Sequence, residues 1–183
     1  MSNKALLNID YTHDFVAEDG KLTCGEPAQA LENSIVAITE AFIQAGDDVF
    51  FAIDAHEAND PHHPESKLFP PHNITGTAGR ALYGKLAGLY ATHQHSPRVH
   101  YFDKTRYSAF TGTNLELKLR ERSITELHLV GVCTDICILH TAVDAYNKGF
   151  DIVVHRKGVA SFNPQGHDFA LNHVETTLGG KVI

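Results

Sequence analysis

Three cysteines, Cys24, Cys133 and Cys137, are too few to staple a chain of 183 residues, which excludes a disulfide framework as its source of stability. Cys133 and Cys137 can in principle bridge, but a reducing cytosol keeps such pairs as thiols. Positive charge is also scarce. Fifteen Lys and Arg stand against 22 Asp and Glu, a net charge of −7, so neither nucleic acid nor an acidic membrane surface is an expected partner. No apolar run approaches the length of a membrane span. The run Ala5-Leu6-Leu7-Asn8-Ile9 is too short for a signal peptide, and the expected location is cytoplasmic. Internal repeats, low-complexity tracts and linkers are missing as well. One domain over 1–183 is the expectation. No Gly-rich phosphate-binding fingerprint stands at the first strand–helix junction, so no nucleotide cofactor is expected.

What is present is an alternation of short apolar runs with helical patterns. Ala5 to Asp10, Asp48 to Asp54, His100 to Asp103, Leu127 to Val132 and Asp151 to His155 read as strands, and 181–183 as a last one. Helices are expected over about 28–45, 78–90, 114–122, 134–149 and 165–178. Continuous apolar strands between helices predict an α/β fold: a Rossmann-like, doubly wound, mostly parallel sheet with helices on both faces. In such a sheet the ligand crevice lies at the C-terminal strand ends.

Three reactive groups follow strands expected to be neighbours: Asp10, Lys104 and Cys137. Thr134 and Asp135 are good helix N-caps, which places Cys137 in a first helical turn, where the dipole favours a thiolate. A carboxylate, an ammonium and a thiol together make a nucleophilic site with its own base. The plain alternatives are that Cys137 is a small core filler and Lys104 a surface lysine. Asp14 reads as a turn residue.

The second constellation is Asp54, His56, Glu65 and His72. The first two stand two apart at a strand end. The last two lie in a 57–77 stretch without periodicity, a length of loop that is usually functional. Imidazoles with carboxylates suit a borderline divalent ion such as zinc, manganese or iron. With thirteen histidines in the chain, a solvated His-rich loop is the competing reading, and His62, His63 and Glu57 are equally good ligands by spacing alone.

These pieces carry a resemblance. Asp10 to Phe15, Asp54-Ala55-His56, Glu65, Phe69-Pro70-Pro71-His72 with Gly76 to Gly79, Lys104 to Phe110, and Gly131 to Cys137 resemble the isochorismatase-like cysteine hydrolases, nicotinamidase/pyrazinamidases in particular. The resemblance implies a sheet of about six strands and a catalytic triad of Asp10, Lys104 and Cys137. It implies one divalent metal ion, zinc first, on Asp54, His56, Glu65 and His72. It further implies a cis peptide at Val132–Cys133 that aims the backbone N–H groups of Cys133 and Cys137 at an oxyanion. Phe15, Phe69 and Tyr107 become candidates to hold a substrate ring, with core packing as the alternative for each and the two readings equal for Tyr107. The implied reaction is hydrolysis of nicotinamide to nicotinic acid and ammonia for NAD salvage through a Cys137 thioester, with pyrazinamide as a second substrate. Nicotinamide is thus the expected small-molecule partner, and a homo-oligomer is expected. Two other readings stand beside it. One is an amidohydrolase for another small amide or ureido compound. The other is a non-catalytic metal or thiol-redox protein using Cys133 and Cys137. Many relatives carry Gln two residues after the catalytic Asp, where this chain has Thr12. Isochorismatases proper lack the nucleophilic cysteine.

Overall fold

The computed structural model describes residues 3–183. Six strands form one sheet: β1 (Lys4–Ile9), β2 (Asp48–Asp54), β3 (Val99–Lys104), β4 (Glu126–Val132), β5 (Asp151–Ala160) and β6 (Lys181–Val182). Their spatial order is β3-β2-β1-β4-β5-β6, and every pairing is parallel. The α/β expectation holds.

Side chains alternate across the sheet with the period of two that strands impose. Leu6 of β1 packs with Ile35, Phe42 and Leu86 on one face. Its neighbours Ala5, Leu7 and Ile9 pack with Leu115, Leu119, Ala142 and Val174 on the other. The helices that supply these residues are α3 (Glu32–Ala45) and α4 (Gly84–His93) on the first face. On the second they are α5 (Leu115–Glu121), α6 (Leu139–Asn147) and α7 (Pro164–Thr176). Two short helices precede them in the chain, α1 (His13–Val16) and α2 (Glu26–Gln29).

Four elements depart from the periodicity reading, three of them for a visible backbone reason. The helix expected over 28–45 breaks between α2 and α3. The Tyr11 hydroxyl donates to the Ala28 carbonyl at 2.8 Å, and the Leu31 N–H also bonds that oxygen at 3.1 Å, so the regular ladder is interrupted. The helix expected over 78–90 is a 3₁₀ turn (Ala78–Arg80) followed by α4. Residues between them extend instead, because the His13 N–H bonds the Ala81 carbonyl at 2.9 Å and the Tyr83 N–H bonds Tyr11 at 3.0 Å. The fifth strand continues five residues past His155, to Ala160. A register shift between Leu129 and Gly131 lets it pair again, Val159 opposite Gly131. The 57–77 stretch holds one 3₁₀ turn, Pro64–Lys67.

Candidate active site and metal centre

The strand order reverses between β1 and β4, and the crevice of a doubly wound sheet opens at that switch point. Asp10 leaves β1 there with φ +57°, fully buried. Cys133 to Cys137 leave β4. The Val132–Cys133 peptide is cis, as the resemblance implied. Cys137 lies in a π-helical turn, Thr134–Ile138, ahead of α6, not in a regular first turn of α-helix.

Lys104 arrives from further away. The strands of Asp10 and Cys137 are neighbours, but β3 is the sheet edge, separated from β1 by β2. The long side chain bridges that distance. Its Nζ lies 2.7 Å from Asp10 Oδ2 and 3.5 Å from Asp54 Oδ1, and it donates to Cys137 Sγ at 3.7 Å. It also donates to the Arg106 carbonyl at 3.1 Å. Lys104 is 1 % exposed, so the surface-lysine alternative fails. Asp10 Oδ1 accepts the Asp54 N–H at 2.8 Å, which ties the thiol site to the second constellation.

The electrostatics follow from burial. Loss of water raises the Asp10 carboxyl to about 6 despite the facing Lys104 ammonium. Burial opposes the charge on Lys104, but Asp10, Cys137 and Asp54 overcome it and hold its pKa well above the usual value. Burial also raises the Cys137 thiol well above its ordinary value, with Lys104 pulling the other way and the two carboxylates adding to the rise. This corrects the expectation of a lowered thiol. In the field of the protein's own groups the resting form is the thiol, and it needs a base within reach.

Asp54, His56, Glu65 and His72 each bring a ligand atom to within 4.8 Å of all the others, and all four are buried. Asp54 Oδ2 stands 2.7 Å from His56 Nε2 and 3.5 Å from His72 Nε2. His72 Nε2 is also 3.5 Å from Glu65 Oε2. The Nδ1–H of His72 donates to the Pro70 carbonyl at 2.8 Å. That places a proton on Nδ1 and turns Nε2 inward towards Asp54 and Glu65, buried and without a hydrogen-bond partner. Burial opposes a charge on His72, yet Asp54 and Glu65 push its pKa up to about 10. Burial likewise opposes ionisation of Asp54, but Lys104, His56 and His72 hold its carboxyl well below the usual range. The charge balance makes the same demand. Asp10, Asp54 and Glu65 are buried together beside one ammonium, Lys104, a carboxylate-rich pocket that a divalent cation would neutralise. The donor set fits a divalent ion.

Of the decoy ligands, His63 has a different task. Its Nδ1 accepts the Glu65 N–H at 3.2 Å and its Nε2–H donates to the Thr105 carbonyl at 2.8 Å. It therefore orients Glu65 and joins the loop to the segment after Lys104. Asp14, read from the sequence as a turn residue, is buried in α1. Its Oδ2 accepts the Asn73 N–H at 2.8 Å and its Oδ1 the Lys21 N–H at 3.3 Å, so it anchors the chain next to His72. Thr12 donates to Asn73 Oδ1 at 3.0 Å and supports the same residue. Neither role at Asn73 has a local signal, since that residue is 59 positions from Asp14 and 61 from Thr12.

Between the two constellations lies a cleft of about 360 Å³ including its mouth. Asp54, Glu65 and Cys137 line it together with Phe15, Phe69 and Tyr107. Leu22, Ile136 and Phe162, which the sequence reading missed, complete the apolar lining together with Cys133. Phe15 and Phe69 also pack on the His72 ring, at 5.3 and 6.2 Å. The sulfur of Cys133 turns away from Cys137. It contacts Cys24 Sγ at 2.8 Å, which removes the suggested Cys133–Cys137 redox pair.

An isochorismatase domain matches residues 4–183. The chain belongs to the isochorismatase family. It is 64% identical over 179 residues to the isochorismatase family protein PncA of Bacillus subtilis, covering 98% of both chains. The crystal structure of nicotinamidase/pyrazinamidase PncA from Bacillus subtilis superposes with a TM-score of 0.97 at 63% identity, covering 99% of both chains. That of pyrazinamidase/nicotinamidase from Streptococcus mutans gives a TM-score of 0.97 at 54% identity, over 98% of this chain and 99% of that one. This isochorismatase-family chain therefore shares its fold with those enzymes over nearly its whole length.

Proposed function

We propose that this chain is a metal-dependent cysteine amidohydrolase that converts nicotinamide to nicotinic acid and ammonia, with pyrazinamide as a second substrate. The similarity to the Bacillus subtilis and Streptococcus mutans enzymes supports the substrate. The observation that carries the chemistry is the buried chain of contacts from Asp10 through Lys104 to Cys137, at 2.7 and 3.7 Å. Within this reading, 4–183 acts as one hydrolase unit, and its product returns to NAD salvage. Three free cysteines suit a reducing compartment such as the cytoplasm.

Substrate enters the apolar cleft with its ring between Phe15, Phe69 and Tyr107. Asp54, His56, Glu65 and His72 would hold the divalent ion, zinc in our reading, which when bound supplies a Lewis acid that orients the substrate. Asp10 takes the thiol proton as the Cys137 sulfur attacks the amide carbon. A carboxyl near 6 is ionised at neutral pH yet basic enough to receive that proton. The Cys133 and Cys137 N–H groups stabilise the tetrahedral oxyanion. Asp10 returns the proton to the departing ammonia and leaves a thioester. Asp10 then deprotonates a water that attacks the thioester, releasing nicotinic acid and restoring the thiol. Lys104 holds Asp10 in place and stabilises the negative sulfur.

The test is the Cys137→Ala variant. Ammonia release from nicotinamide falls to background while circular dichroism and metal content stay unchanged. Retained turnover overturns the scheme. A panel of small amides and ureido compounds, run on the unaltered enzyme, decides between nicotinamide and another substrate of the same chemistry.

A further inference from the structure

Cys24 and Cys133 are 109 residues apart in sequence, yet their sulfurs are 2.8 Å apart. Both are free and buried. Cys24 sits in the loop between α1 and α2, where its N–H bonds the Phe15 carbonyl at 2.8 Å. Cys133 follows β4 directly and is among the residues that line the substrate cleft. The triad and the metal ligands use neither sulfur. A mature disulfide has its sulfurs about 2.0 Å apart, so closing this pair needs a movement of under about 1 Å. A small oxidant that enters the cleft reaches a lining residue, Cys133, whose sulfur is in contact with that of Cys24.

We propose that Cys24 and Cys133 form a reversible oxidation site, a dithiol that a small peroxide entering the substrate cleft converts to an intramolecular disulfide. With hydrogen peroxide as oxidant, the Cys133 sulfur attacks one peroxide oxygen, the O–O bond breaks, and a sulfenic acid and water result. The Cys24 sulfur then attacks the Cys133 sulfur and loses its proton, hydroxide leaves as a second water, and the S–S bond forms. Two thiols lose two electrons in all, and one peroxide becomes two waters. A thiol reductant reverses the bond by exchange. The new bond joins two walls of one cleft: the loop after Phe15 and Leu22, and the turn before Cys137. It does not depend on the identity of the amide substrate.

The experiment uses the full chain as Cys137→Ser, so that the nucleophile cannot react, treated with hydrogen peroxide. Intact mass is read after denaturation and alkylation. The expected result is a loss of two hydrogen atoms with simultaneous loss of both alkylatable thiols, reversed fully by dithiothreitol. Cys24→Ser and Cys133→Ser, each made in the Cys137→Ser background, remain without that loss. Two thiols still alkylatable after peroxide overturn the proposal, and so does independent oxygen addition to each sulfur. A disulfide that links two chains also overturns it.

Discussion

Gly131 is the residue through which the fold sets the spacing of the active site. It lies in β4 beside Ile9 of β1, at φ +124°. A Cβ added there would stand 1.9 Å from the Ile9 carbonyl oxygen. Gly131→Ala therefore acts twice. Holding a side chain in so sparse a backbone region costs about 1–3 kcal/mol. Ordinary contact begins near 3.4 Å, so the strands must part by about 1.5 Å, more than a ladder hydrogen bond tolerates. Losing two such bonds adds about 1–3 kcal/mol, for a total of about 2–6 kcal/mol out of the roughly 5–15 that hold a domain together. Gly149 is the control. It too has positive φ, +75°, but nothing lies within 4 Å of its added Cβ, and Gly149→Ala should cost about 1 kcal/mol. Urea unfolding in reductant, followed by circular dichroism, measures both. Ammonia release should fall in Gly131→Ala, because Asp10 and the turn to Cys137 follow the two strands that separate, and should persist in Gly149→Ala. Equal losses in the two variants, within about 0.5 kcal/mol, would refute the close approach of β1 and β4.

Two further outcomes follow from side chains outside the triad. Asp14→Ala releases the Asn73 N–H beside His72 and should weaken metal binding about 10–100-fold, read by competition with a chromophoric chelator; unchanged affinity would show that the loop holds itself. His155, pushed down to about 4 by burial with His128 and Lys4 adding to it, binds a proton in the unfolded chain more readily than in the fold. Stability is thus complete above the ordinary His value near 6.5 and is lost as pH falls from there towards 4. The loss at pH 5 should be about 1 kcal/mol after allowance for solvent screening. His155→Gln should flatten the difference in urea midpoint between pH 7 and pH 5, and an unaltered slope would assign the acid sensitivity elsewhere.

Two strand ends were readable because each buried run stops on a group that has no business in a core: Asp10 and Asp54. Their polarity marks the C-terminal edge of the sheet, and a doubly wound sheet has its crevice there. The metal ligands were readable as residue types, but His62 and His63 had the same standing as His72 until the loop's path was known. What separates them is the Pro70 carbonyl, which holds the His72 Nδ1–H, and Thr105, which occupies His63. Strand order was not readable at all. Nothing near Lys104 shows that its strand is the sheet edge. Cys24 pairs with a residue 109 positions away, and no periodicity carries information over that distance.

The placement of Lys104 on β3 has a consequence for how the molecule fails. An edge strand has a hydrogen-bonded neighbour on one side only, and alternate residues of β3 lie open to solvent. Edge elements open by local fluctuation at a lower free energy than the interior strands. Each such opening withdraws the buried Lys104 ammonium while Asp10 and Cys137, which follow interior strands, stay in place. The site then holds the acids and the thiol without their counter-charge. The catalytic competence of this chain therefore follows the free energy of fraying one strand, not that of unfolding the whole.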